Sequence, residues 1–397
     1  MHGRTQPQHA SRRQALVWLG GLITAPVAAN TQADQAGDAL YLAAAWQQAD
    51  GSYRIGLLAA SRTVAQAPLR VVDALEVPTR AHGVHALADG SIVATARRPG
   101  DWLVRWQPQR GAAPVWHWVD AARSFNGHVI ASPDGRHLFT TETDIDTGAS
   151  LVARRDVSTL QTEAEWPTHG IDAHELIWAP TAARSMGNSS ALPALIVANG
   201  GVPTAPETGR VKRDLHTMDS SIVRLDGSTG ELQGQWRLQD QRLSLRHLAW
   251  SSDRAVLGIA LQAEHDDAAA RQAAPILALF DGRSLRLAPA PQAMAARIHG
   301  YGGSIAATPA GWAVSCPRAD GIATFTPQGD WSDLVALPEV CALAVDRQAQ
   351  QLWAAGVGHS LQDALPAAQR PPRHHAHDTP LAGARMDNHW VVARGEG

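Results

Sequence analysis

Lysine is almost absent from this 397-residue chain. Of its 34 lysines and arginines only Lys212 is a lysine, and with 37 acidic residues the formal net charge is −3. The basic face that nucleic acid calls for is therefore not implied. Tyrosine and phenylalanine are scarce, three and four against 14 tryptophans, a bias that reads as bulky packing between layers. Only two cysteines occur, Cys316 and Cys341, and no C-x-x-C or Cys–His spacing accompanies them, which argues against a thiolate metal site. C-x-x-C-H is missing, so covalent haem is not indicated. So are G-x-S-x-G, G-x-G-x-x-G before a helix, the P-loop and H-E-x-x-H. Their absence removes the motif support for serine hydrolysis, nucleotide binding and zincin proteolysis. Long stretches with an apolar residue every third or fourth position are also missing after the N-terminal region, which speaks against a helical array.

What is present is a repeat. Phe125-Asn126-Gly127-His128-Val129-Ile130-Ala131 reads as a strand, Ser132-Pro133-Asp134-Gly135 as a turn, and His137-Leu138-Phe139-Thr140-Thr141 as a second strand. Variants return at His82, at Ala173, at Arg246, at Gly303 and at Cys341. His85, His128 and His174 follow at intervals in the forties, and a longer interval to His247 holds an insertion. Such spacing fits four-stranded propeller blades. The two cysteines fall at the end of one repeat's second strand and the start of the next repeat. That placement is open to a disulfide between Cys316 and Cys341 or to two inert buried thiols.

The N-terminus carries Ser11-Arg12-Arg13-Gln14-Ala15-Leu16 before the apolar run 15–29, with small residues near Ala28 and Ala29. This predicts a twin-arginine signal peptide over residues 1–34, periplasmic export, and no membrane span after signal removal. The remainder, residues 35–397, reads as one all-β domain, a seven-bladed β-propeller of four-stranded antiparallel blades, with an inserted loop near 199–218. About 52 residues per blade suits that architecture. The chain ends in an apolar strand at 388–393, and ring closure would join the two terminal regions in one sheet.

In a propeller the first strand of each blade lines the channel, so candidate site residues come from equivalent places in successive repeats. They are His82, His85, Asn126, His128, Asp172, His174, Glu175, Arg246, His247, His299 and Tyr301. Imidazole is the commonest metal ligand, which makes His82, His128, His174 and His247 the candidate metal set. The bland alternative is that these histidines cap strand backbone groups. The tract His374, His375 and His377 reads as a surface segment or a short metal-binding tract.

Several stretches together resemble the exported bacterial family DUF1513. They are R-A-H-G at 80–83, F-N-G-H-V-I-A-S-P-D-G-R at 125–136, I-D-A-H-E-L at 171–176, A-N-G-G at 198–201, M-D-S-S-I-V-R-L-D at 218–226 and R-H-L-A at 246–249. The resemblance covers essentially the chain after the signal and implies a YVTN/WD40-like propeller without a settled activity. The family's gene context, beside imelysin-like exported proteins and di-haem oxidoreductases, implies a role in iron acquisition. Those proteins are then the candidate partners, and iron or another transition metal the candidate cofactor. The expectation is a monomeric, non-catalytic binding propeller. The alternative is an oxidoreductase or lactonase-type hydrolase, with a channel histidine as base and a metal as Lewis acid.

Overall fold

The Ser132–Asp134 turn shows why the repeats fold as they do. Asp134 accepts hydrogen bonds from the Ser132 hydroxyl at 2.5 Å and the Arg136 N–H at 3.1 Å. Gly135, at φ 71°, takes the left-handed conformation that brings its N–H 2.9 Å from the Ser132 carbonyl. The same chemistry recurs at Ser251–Asp253, where Asp253 accepts from the Ser251 hydroxyl and the Ala255 N–H. Each turn folds an apolar strand back on its predecessor.

The computed structural model describes residues 39–64, 67–180, 192–203, 212, 214–289, 291–363 and 372–393. The expected twin-arginine signal and residues 204–211 and 213 of the inserted loop lie outside them. The fold is all-β, 53% strand and 6% helix. The chain begins with β1 (Ala39–Gln47), β2 (Tyr53–Ser61) and β3 (Arg70–Val77). Next come β4 (Ala81–Ala86), β5 (Ile92–Ala96), β6 (Trp102–Trp106) and β7 (Val115–Trp118), then β8 (Arg123–Ala131), β9 (His137–Asp144), β10 (Ser150–Asp156) and β11 (Thr162–Pro167). The third group is β12 (Ala173–Trp178), β13 (Leu195–Asn199), β14 (Ser221–Leu225) and β15 (Leu232–Trp236). The fourth is β16 (Leu243–Trp250), β17 (Leu257–Ala263), β18 (Leu277–Phe280) and β19 (Leu285–Leu287). The fifth is β20 (Ile305–Thr308), β21 (Gly311–Cys316), β22 (Gly321–Phe325) and β23 (Trp331–Ala336). Last are β24 (Ala342–Asp346), β25 (Gln351–Ala355), β26 (His359–Gln362), β27 (Arg373–Ala376) and β28 (Arg385–Ala393). Two short helices, α1 (Ala268–Ala273) and α2 (Gln292–Ile298), sit in the connections on either side of β18 and β19.

Five groups form four-stranded antiparallel sheets in chain order. The remaining strands form one eight-stranded sheet, ordered β27-β26-β25-β24-β28-β1-β2-β3. Its two halves meet at a single parallel bridge, Leu343 to His389. The strands β4, β8, β12, β16, β20, β24 and β28 each touch the next, and β28 touches β4, so the inner strands form a closed ring. Closure follows the expected pairing: β28 runs antiparallel to β1, with Ala43 opposite Val391.

Burial falls from the ring outward. Every residue of β5 is buried, whereas β11 is mostly exposed. Trp102, Trp312 and Trp353 are fully buried and fill the spaces between sheets. Tryptophan also stitches neighbouring sheets together. Trp178 Nε1 donates to the Ala131 carbonyl at 2.7 Å, and Trp250 Nε1 donates to the Trp178 carbonyl at 2.9 Å.

Of the two outcomes the sequence left open, the structure has the second: Cys316 and Cys341 are free thiols. Alternate residues of a strand face opposite sides, and here the residue facing Cys341 is Ser315, whose hydroxyl donates to the Cys341 carbonyl at 3.0 Å. Cys316 points the other way, into the cluster of Trp312, Val314 and Phe325. Burial pushes its thiol up to about 12 and that of Cys341 up to about 11, so both are un-ionised at neutral pH.

One buried ion pair stands in the second sheet. Arg155 reaches Glu142 at 2.7 Å, both side chains are essentially inaccessible, and the guanidinium lies 5.0 Å from the Phe125 ring centre. Removing one partner of such a pair leaves an uncompensated buried charge. Arg155→Met is expected to cost roughly 3–5 kcal/mol in urea unfolding. The double variant Glu142→Gln/Arg155→Met is expected to recover part of the loss, and additive losses would refute the pairing account.

Candidate metal centre on the ring axis

The inner strands are not regular, and their irregularities carry the site. Pairing slips between Ala81 and Val84 on β4, Phe125 and Val129 on β8, Ala173 and Leu176 on β12, and Leu245 and Leu248 on β16. The β28 ladder against β1 slips between Met386 and Trp390. Each slip contains one histidine: His82, His128, His174, His247 and His389. A β-bulge releases a residue from the ladder and re-aims its side chain. The ladder of β20 on β21 and that of β24 on β25 are unbroken, and neither β20 nor β24 carries a histidine. Glycine makes the close approach possible. Gly127 sits at φ 100°, and a Cβ on Gly83 would lie 2.4 Å from the Gly127 carbonyl oxygen.

The five imidazoles form one cluster. Ring centres of His82 and His128 are 4.9 Å apart, those of His128 and His174 4.7 Å, of His174 and His247 4.7 Å, and of His247 and His389 4.7 Å. His82, His128, His247 and His389 each offer a nitrogen within 4.8 Å of the others. The hydrogen bonds set the tautomers. His82 Nδ1 meets Asp387 Oδ1 at 3.0 Å, and Asp387 is also paired with Arg80 at 2.5 Å. His247 Nδ1 donates to the Gly303 carbonyl. Nε2 of both rings is left with its lone pair. His247 Nε2 accepts from His174 Nε2 at 3.2 Å, and His174 Nδ1 lies 3.5 Å from an Arg246 nitrogen. Nε2 of His128 and of His389 are buried with no hydrogen-bond partner.

Burial is the main cause that holds all five rings below the ordinary imidazole range, His389 at about 3. They are neutral at pH 7, the form that ligates metal. Burial pushes the Glu175 carboxyl the other way, up to about 8. It accepts a 2.6 Å hydrogen bond from the Leu248 N–H and lies 4.0 Å from His128 Nδ1.

Above the cluster opens a cavity of about 110 Å³, lined in part by His82, His174, His247, Asn126, Arg246 and Tyr301. Of the expected residues, Asn126 spends its amide on structure, donating to the Ala173 carbonyl and accepting from the Thr143 hydroxyl, each at 2.9 Å. Asp172 lies behind the cavity, paired with Arg98 and, at 2.9 Å, with Arg246. His85 and His299 are not part of the site. His85 stands in register with Val93, beyond the bulge, and His299 is exposed in a left-handed turn that ends α2. His375 is structural: on β27 its nitrogens meet the Ala67 carbonyl at 3.0 Å and the Gln362 amide oxygen at 3.2 Å. His389 and Asp387 escaped the sequence reading. The available signal was a histidine opening the terminal apolar strand, as histidines open the other inner strands.

Residues 75–393 match the model of DUF1513, "Protein of unknown function". The chain belongs to this family. The match spans all five imidazoles. No curated protein matches the chain. Solved structures of similar fold include streptogramin B lyase, with TM-score 0.53 at 12% identity over 78% of this chain and 87% of that one. Hydrazine synthase of Kuenenia stuttgartiensis aligns with TM-score 0.53 at 10% identity, over 78% and 90%. A chain of the mitotic checkpoint complex aligns with TM-score 0.54 at 14% identity, over 84% and 87%. At such identities the likeness concerns the fold alone, which is β-propeller-like.

The cluster makes stability depend on pH. Unfolded imidazoles protonate below about 6.5, whereas the five buried rings do not, so each takes up a proton on unfolding. Stability is lost as pH falls from 6.5 toward the folded values, tenfold in the folding equilibrium per proton per pH unit. Glu175 acts oppositely: raised from 4.5 to about 8, it releases a proton on unfolding and costs stability as pH rises between those values. Thermal unfolding of the metal-free protein is expected to show a Tm maximum at about pH 7. Glu175→Gln is expected to flatten the alkaline side and to steepen the acid side above about pH 4.5. A Tm unchanged between pH 7 and 5 would contradict neutral buried rings.

Proposed function

We propose that the chain is a seven-bladed propeller whose central histidines bind one transition-metal ion. The eight-stranded sheet is read as two blades joined by the single Leu343–His389 bridge, with β28 as the inner strand of the first blade. The observation that carries the metal reading is the convergence of His82, His128, His247 and His389 within 4.8 Å. Histidines that merely cap strands would be hydrogen-bonded, because unpartnered buried nitrogens are costly. Here two of the four Nε2 atoms have no partner. The contacts of His82 with Asp387 and of His247 with the Gly303 carbonyl resemble the outer contacts that orient metal-bound imidazoles.

An all-imidazole donor set suits copper, zinc, nickel or iron and disfavours calcium and magnesium. The family's gene context directs this reading to iron acquisition in the periplasm, with the propeller as a non-catalytic binder. A second reading, an enzyme in the same channel, is favoured by Glu175. A carboxyl protonated at neutral pH beside His128 is a candidate general acid, and turnover lost in Glu175→Gln would support it.

Titration calorimetry with Fe²⁺, Zn²⁺ and Cu²⁺ is expected to give one ion per chain. His128→Ala and His389→Ala are each expected to lower affinity at least about a hundredfold and Asp387→Asn about tenfold, whereas His85→Ala leaves it within about twofold. Affinity is expected to stay level between about pH 8 and 6, where an exposed histidine site would weaken. Full affinity in His389→Ala would refute the site.

A further inference from the structure

The cavity over the imidazoles is lined by cations. Arg97, Arg98, Lys212, Arg246 and Arg318 all line it, and among the described residues no carboxylate does. Two carboxylates stand behind these residues. Asp172 pairs with Arg98 and Arg246, and Glu264 pairs with Lys212. Neither carboxylate is part of the described lining, so the described groups that meet the cavity directly are cations, neutral imidazoles and polar side chains. Asp387, the carboxylate nearest His82, is taken up by Arg80 and His82.

Arg246 deserves separate notice. Its side chain is 6% exposed, and its Nε is buried without a hydrogen-bond partner. A guanidinium presents donors in a planar fork that matches the oxygens of a carboxylate or phosphate. The neighbouring groups suit the same ligand. Gln262, Asn388 and Tyr301 line the cavity, and the Arg318 guanidinium stacks 4.0 Å from the Tyr301 ring centre. Lys212, the chain's only lysine, belongs to the inserted loop and reaches this mouth.

We infer that the cationic mouth binds a small oxyanion, a carboxylate or a phosphate, directly above the histidine cluster. His82, His174 and His247 line the same cavity, so the anion sits where it can supply an oxygen ligand to a metal held below. The preferred cargo is then a metal ion accompanied by a small oxyanion rather than the bare ion. This last step rests on the proposed metal site; binding of the anion alone does not.

The test is calorimetry on the metal-free protein with citrate and with inorganic phosphate as separate probes. One anion per chain is expected for at least one probe, weakening as sodium chloride is raised because the attraction is screened. Arg318→Gln, at an exposed residue, and Arg97→Gln, at a half-buried one, are each expected to weaken anion binding about tenfold. Zn²⁺ binding without anion stays within about twofold in both variants. His128→Ala is expected to lose Zn²⁺ and keep the anion. Absence of binding by both probes, or full anion affinity in both arginine variants, overturns this inference and leaves the metal reading standing. Anion binding without any metal binding would retain the oxyanion site and overturn the metal reading.

Discussion

Burial of five imidazoles on one axis is the constraint on which the rest of this structure depends. Each ring is taken out of the β-ladder by a bulge, and each bulge gives up ladder hydrogen bonds near the centre of the fold. Polar rings without water must find partners or lose several kcal/mol each, of the order of 2–7 for an unpaired group. The surrounding sequence reflects this. Asp387 serves His82, the Gly303 carbonyl serves His247, and Arg246 stands by His174. Small residues, Gly83 and Gly127, let the bulged strands approach. The inner strands without histidine, β20 and β24, keep regular ladders against β21 and β25.

The electrostatics are layered along the same axis. Neutral imidazoles occupy the centre because burial disfavours their charged form. Arginines and Lys212 stand over them, with Asp172 paired to Arg98 and Arg246 and Glu264 paired to Lys212 from behind. Asp172 holds two arginines from different sheets, Arg98 from the second repeat and Arg246 from the fourth inner strand of the ring. The same carboxylate therefore ties sheets together and sets the orientation of the cations at the mouth. Structural and ligand-directed roles are not separable at this residue.

Membership of DUF1513 fixes the relatives of this chain but brings no chemistry with it, and the solved structures of similar fold differ in what their names describe. A propeller-like ring is a frame that hosts unrelated functions. Metal and oxyanion binding are proposed here from atoms: unpaired imidazole nitrogens, tautomers set by outer contacts, and a cavity whose described lining carries five cations.

Much of the frame was legible in the chain. Ser-Pro-Asp-Gly turns, alternating apolar strands and recurring intervals are local signals, and they identified the repeats, the ring closure and four of the five histidines. Those four precede an apolar strand at equivalent places in consecutive repeats. His389 was hidden because its strand completes a sheet begun at the other end of the chain, so no neighbouring repeat marks it. His85 was a false candidate because a bulge moves His82 to the axis and returns the next residues to the ladder. The choice between a disulfide and free thiols was settled the same way: Ser315 faces Cys341, and Cys316, the next residue, faces the opposite side of its strand. Sequence by itself determined the strands, their turns and the kinds of side chain at the ring's centre, since these follow from periodicity and local hydrogen bonding. Only the tertiary structure decided which side chains meet, because bulges and closure rotate residues by amounts that no local pattern encodes.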